Sequence, residues 1–244
     1  MTRKELIQAV ALCMDEITPG TALSSITVDG SDNNPLYQLI DGLIDGGVLE
    51  LFSVAPYWRL PQTQFNYTGA EATSDIIVEH LVAGDTNSRQ IIRLKVKGDF
   101  LRVAEISCKY FQRPITEVVP EQSAEGKRQH NRFLIGKEAK PVGVMSHGVW
   151  NSLPCREIDC YSLAADTTVA TPSTDIVASY IAKPATIHDD SVTPANAVSV
   201  EKALGDSAVL IPALEWLIAA RTFGARGDAN HAAICQQNAQ NLLV

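Results

Sequence analysis

Residues Arg89–Lys140 read RQIIRLKVKGDFLRVAEISCKYFQRPITEVVPEQSAEGKRQHNRFLIGKEAK, and the spacing at the start of this stretch points to sheet. Ile92, Leu94 and Val96 alternate with Arg93, Lys95 and Lys97. A period of two lays the aliphatic set on one face of a strand and the bases on the other. FLRVAEISCKYF, from Phe100 to Phe111, fits neither the helical nor the strand period cleanly. A strand is preferred there because the β-branched ITEVV follows directly after Pro114. SAEGKRQHNRF is polar and fits a short helix or a loop, while PVGVMS and REIDCYSL are short apolar runs, either one hairpin or two adjacent strands. The region 62–166 is therefore expected to be β-rich and mainly antiparallel.

Helical signals flank this centre. Thr2 and Glu5 have capping-box spacing, and Leu6, Ile7, Val10, Ala11, Cys13, Met14 and Ile17 make one apolar stripe, which Pro19–Gly20 is expected to end. Asn34–Pro35 reads as an N-cap with proline at the first helical position. Leu36, Leu39, Ile40, Leu43 and Ile44 follow as a buried face, with Gly46–Gly47 as the expected stop and VLELFSVAPYWRLP as an extended or mixed segment after it. Near the other end, Leu210, Ile211, Leu214, Trp216, Leu217 and Ile218 form an apolar helix with Pro212 in its first turn. Gly224 and Gly227 break it, Asp228 caps the next helix, and Ala232, Cys235, Ala239 and Leu242 line one face of that helix. The expected fold is α+β: an N-terminal helical region 1–61, the β-rich region 62–166, a loop or arm 167–194 holding the strand-like IVASYIA, and a C-terminal helical hairpin 195–244.

Charge is distributed unevenly. Arg89–Lys140 holds twelve bases and six acids, a local balance of +6 in a chain of net −8, so the rest sums to −14. Basic and acidic segments in one chain suit head-to-tail contact between copies, or contact with a polyanion. The candidate basic face comprises Arg89, Arg93, Lys95, Lys97, Arg102, Lys127, Arg128 and Arg132. His130 and Phe133 beside Lys127 and Arg128, with Phe100, Tyr110 and Phe111 nearby, leave a non-catalytic nucleic-acid-binding accessory role as the alternative.

Catalytic and metal chemistry find little support. Five histidines show no HxH or HExxH spacing, and Cys155 and Cys160 are too far apart for a CxxC pair. The five cysteines are expected to be reduced and buried, with no metal and no cofactor. Ser146–His147 and Cys155 with Asp159 are nucleophile candidates by residue type, but GxSxG, GxxxxGK[ST] and GxGxxG are absent. A hydrolase would need His130, His147 or His188 to meet a nucleophile and an acid. No enzyme is expected. Glu5 stands where a secretory leader would begin its apolar run, no lipidation signal is visible, and no apolar run reaches spanning length. Cytosol-like surroundings and no membrane contact are expected.

DFLRVAEISCKYFQRPITEVV at Asp99–Val119, KRQHNRFLIGKEAKPVGVM at Lys127–Met145, REIDCYSL at Arg156–Leu163 and LIPALEWLIAARTF at Leu210–Phe223 together resemble a virion protein family of crAss-like bacteriophages. The shared pattern is DFLR at Asp99–Arg102, an aromatic pair at Tyr110–Phe111, RP at Arg113–Pro114, QxN at Gln129–Asn131 and KPV at Lys140–Val142. The resemblance implies a structural, non-catalytic virion protein of the portal, neck or tail of a tailed phage, assembled in the host cytoplasm. It implies rings of about twelve copies of the chain, closed by heterologous contacts. The implied partners are the portal protein and other neck or tail rings, with non-specific contact to packaged DNA.

Overall fold

Alternation in the centre and three-to-four spacing at the ends produce two units, Gln62–Ala182 and Met1–Pro61 with Lys183–Val244. The computed structural model describes residues 1–16, 34–67, 76–82, 90–96, 100–108, 111–131, 133–137, 139–162, 176–187, 199–205 and 208–244.

Gln62–Ala182 is a sandwich of two sheets. Strands β1 (Thr63–Tyr67), β4 (Phe100–Cys108) and β8 (Ile176–Ala182) form one, in the order β1-β8-β4, with both pairings antiparallel. Strands β2 (Ile76–Val82), β3 (Gln90–Val96), β5 (Val118–Pro120), β6 (Val142–Trp150) and β7 (Leu153–Ser162) form the other, in the order β2-β3-β7-β6-β5. There Ile92, Leu94 and Val96 take the buried face, as their alternation requires, and pack with Ile158 and Cys160 against Phe65, Ile106, Ile176 and Ala178 of the first sheet. The run Phe100–Cys108 is a strand whose register slips between Phe100 and Arg102 and again between Val103 and Glu105. Each irregularity shifts the side-chain phase, which accounts for its unclear period. PVGVMS and REIDCYSL belong to one hairpin, β6–β7, turned by Asn151 and Ser152 with φ of 49° and 65°. Two consecutive left-handed residues give the turn whose twist matches the strands.

Pairing is mainly antiparallel, as the alternation predicts; among the described strands the exception is β5, which lies parallel to β6 with Val118 opposite Gly143. One expectation is corrected in this unit. The expected arm 167–194 is not a separate element over its strand-like part. Ile176–Ala182 is the middle strand of the three-stranded sheet, placed there because Ile176 and Ala178 complete the sandwich core. Residues 167–175 and 188–194 lie outside the described residues.

The other unit is helical: α1 (Arg3–Cys13), α2 (Pro35–Val54), α4 (Val200–Leu204), α5 (Leu210–Ala225) and α6 (Ala229–Leu243), with α3 (Ala124–Arg128) in the sandwich unit. Thr2 Oγ1 accepts from the Glu5 N–H at 3.3 Å, and Glu5 Oε2 accepts from the Thr2 N–H at 2.7 Å, completing the capping box. Asn34 caps α2 through the Leu36 N–H at 3.0 Å, and Asp228 caps α6 through the His231 N–H at 3.1 Å. α1 ends at Cys13, earlier than Pro19–Gly20, because Asp15 turns left-handed (φ 57°); Ile17 and Pro19–Gly20 lie outside the described residues.

Gly46–Gly47 does not end α2. The helix continues to Val54, and VLELFSV is helical because Val48, Leu51 and Phe52 extend the buried stripe of Ile40 and Ile44. A short 3-10 turn, Tyr57–Arg59, follows. α5 passes through Gly224 and stops at Gly227 (φ 84°), and on α6 the buried leucine is Leu243 in place of Leu242. No helix among the described residues is long and apolar enough to cross a membrane.

Glu215 on α5 offers a pH test. Partial burial raises its carboxyl pKa, so the folded chain holds that proton more tightly than the unfolded chain. The ionised carboxylate therefore opposes folding at neutral pH, and the opposition fades as pH falls through the raised range. Glu215→Gln is expected to be more stable than the parent at about pH 7, with the gap narrowing toward about pH 4 in urea titrations.

Candidate functional site

Of the eight bases of the candidate face, five are among the described residues, and these differ in how far they reach water. Arg89, Lys97 and Arg132 lie outside the described residues. Arg93 and Lys95 on β3 stand opposite Asp159 and Glu157 on β7. Arg93 Nε and Nη2 donate to Asp159 Oδ1 and Oδ2 at 2.6 and 2.9 Å, a bidentate pair. Glu157 lies 3.5 Å from Arg93 Nη1 and 3.8 Å from Lys95 Nζ. These two bases are thus neutralised within their own sheet. Arg102 on β4 is half-buried, and desolvation lowers its guanidinium pKa. Lys127 and Arg128 remain exposed.

Those two belong to a crossover that the parallel β5–β6 pair makes necessary, since parallel neighbours cannot be joined by a tight turn. The crossover, 121–141, carries α3 and is fastened at several points. Gln129 is fully buried; its Oε1 accepts from the Gly136 N–H at 2.7 Å and its Nε2 donates to the Glu125 carbonyl at 3.2 Å. A Cβ on Gly126 would lie 2.5 Å from the Pro120 carbonyl oxygen, and one on Gly136 would lie 2.5 Å from that of Tyr161. Asn131 Oδ1 accepts from the Phe133 N–H at 3.0 Å, while the Leu134 and Ile135 N–H groups reach the Asn131 carbonyl at 2.9 and 3.0 Å.

Ile135 then turns inward against Val144 and Tyr161. Its neighbours face out: Phe133 is 79% exposed and Leu134 is 55% exposed. Large apolar side chains held in water on a fastened loop form a ready contact surface. Lys127, Arg128, Lys137 and Lys140 are exposed around them. A groove of about 390 Å³ runs beside the loop, lined by Arg113, Glu117, Glu125, Lys140 and Val142 among others.

The nucleophile candidates do not assemble. Ser146 and His147 are consecutive on β6, so their side chains leave opposite faces. His147 Nε2 lies 3.1 Å from Arg156 Nη1. Cys155 and Asp159 are four residues apart on one strand, which separates them by about 13 Å. His130 is exposed on the crossover, and His188 lies outside the described residues.

In the helical unit a cavity of about 590 Å³ is lined by Cys13, Trp216, Phe223, Arg226, His231 and Cys235 among others. Burial, aided by the charge of Glu215, pushes the Cys13 thiol up to about 11, which leaves it protonated and weakly nucleophilic at neutral pH. Among the described residues no group of three or more His, Cys, Asp or Glu side chains could hold a metal ion.

Two features escaped the sequence reading. Glu157 and Asp159 alternate in REID as Arg93 and Lys95 do in RLK, a complementarity that appears only once β3 and β7 are in register. Gln129 and Asn131 carry the loop's internal bonds, and the QxN spacing was their signal. No protein-family model matches the chain, and no curated protein does.

Proposed function

We propose that the chain is an architectural subunit of a tailed, crAss-like phage virion. Copies of it form a ring at the portal or neck that joins head to tail and extends the DNA channel. One observation carries most weight: the motif residues of the resemblance that lie on the crossover serve as framework. Gln129 and Asn131 fasten the loop, Lys140 pairs by backbone with Lys137, and Val142 begins β6. A loop fastened at several points while two large apolar side chains stay exposed on it suits recognition between macromolecules. The RP pair acts similarly, since it leads into Ile115, whose N–H and carbonyl both pair with Ile106 at 2.8 Å.

Electron microscopy of the purified protein, alone and mixed with portal protein from the same phage, tests this reading. Closed rings or a decorated portal end are expected, with assembly weakening as salt rises above about 0.1 M, where exposed charges beyond about 10 Å are screened. A monomer at every concentration that leaves portal bare would refute the reading.

A further inference from the structure

We infer that the Phe133–Leu134 crossover loop is the donor surface by which one copy grips the helical unit of a second copy. This inference rests on the ring reading and names the contact that would build the ring. The sequence Gly126–Lys137 carries Lys127, Arg128, Arg132 and Lys137 beside two exposed apolar side chains, with Arg128 paired to Glu125 at 3.1 Å and Lys127 and Lys137 exposed. Its complement is present in the same chain. The segments Met1–Pro61 and Lys183–Val244 together hold seven Lys and Arg against fourteen Asp and Glu, a net −7. Gln62–Ala182 holds thirteen against fourteen, a net −1, and the two values add to the chain's −8.

The helical unit also displays apolar side chains where α2 ends, Val54 at 51% exposed and Trp58 at 68%. The basic, apolar loop is thus matched in net charge and in exposed apolar side chains by the helical unit of another copy. The contact is heterologous, so each copy offers one donor and one acceptor and the chain of contacts can close. A nucleic-acid strand fits less well. Leu134 offers no ring for a base to stack on, and the chain as a whole is acidic.

The interface can be dissected with full-length protein by analytical ultracentrifugation. Phe133→Ser with Leu134→Ser disables the donor, and Val54→Ser with Trp58→Ser disables the acceptor. Each double variant alone should associate roughly thirtyfold or more weakly than wild type, because central aromatic anchors dominate such contacts. Mixed, the two should form a one-to-one dimer that grows no further, since one intact donor meets one intact acceptor. Lys127→Glu with Arg128→Glu, at two exposed positions, should reproduce the donor defect with the thermal transition unchanged.

Wild-type assembly that survives both donor variants would overturn the inference and leave the ring reading standing. A donor variant that assembles normally but no longer retains a single-stranded oligonucleotide would overturn it in favour of nucleic acid. A wild type that never self-associates would end both.

Discussion

Gly47→Val is expected to destabilise the helical unit by about 3 kcal/mol, the upper part of the range for overpacking a filled core. Gly47 is buried midway along α2, and a Cβ there would come within 2.6 Å of Ile218 Cγ1 on α5. Leu214 Cδ1 would follow at 3.5 Å, so the added group meets two buried, branched side chains. Neither helix can turn away without uncovering its own apolar stripe. The surface link between them, Arg221 Nε to Glu50 Oε2 at 2.6 Å, is partly exposed and too weak to hold a displaced pair together. Gly42 on the same helix is the control, because nothing lies within 4 Å of a Cβ built there. Gly42→Ala should stabilise by about 0.5–1 kcal/mol through helix propensity alone. Thermal unfolding followed by circular dichroism should move in opposite directions for the two variants. Equal small shifts would mean that α2 and α5 are not packed through Gly47.

That glycine also marks where sequence reading stopped. Gly46–Gly47 looked like a helix stop because each glycine weakens a helix by about 1 kcal/mol relative to alanine. Burial of Val48, Leu51 and Phe52 beyond the pair outweighs that loss, and a partner helix that needs a bare backbone cannot be read from α2's own residues. Caps fared better. Thr2, Asn34 and Asp228 act within a few residues of themselves, so their spacing is enough. Alternation in Ile92, Leu94 and Val96 fixed which face of β3 is buried, again a local property.

Pairings across long separations were not legible. Ile176–Ala182 looked like part of an arm because its partners, Thr63–Tyr67 and Phe100–Cys108, lie far back along the chain. The basic island had the same weakness. Its net charge is a sum over residues, but which of its bases reach water depends on register with Glu157 and Asp159.

Asp159→Ala follows from that register. It should cost about 2 kcal/mol, less than the 3–5 kcal/mol of a fully buried pair because Glu157 stays within 3.5 Å of Arg93. The side chains of Asp159 and Arg93 are 13% and 26% exposed, so Arg93 would lose its bidentate partner in a half-dry setting. Glu125→Ala, which breaks the exposed Arg128–Glu125 contact of 3.1 Å, should change stability by no more than about 0.5 kcal/mol. Replacing both members of the inner pair, Arg93→Met with Asp159→Leu, should recover most of the loss, because no charge is then left without its partner. Urea unfolding of the parent, of Arg93→Met and Asp159→Leu singly, and of the double gives the coupling, expected at about 1 kcal/mol or more. Coupling near zero would show the pair to be solvated and would return Arg93 to the exposed face. A large coupling restricts how assembly can be probed: charge reversal at Arg93 or Lys95 would damage the sheet before it reported on any neighbour, whereas Lys127 and Arg128 can be reversed with the fold intact.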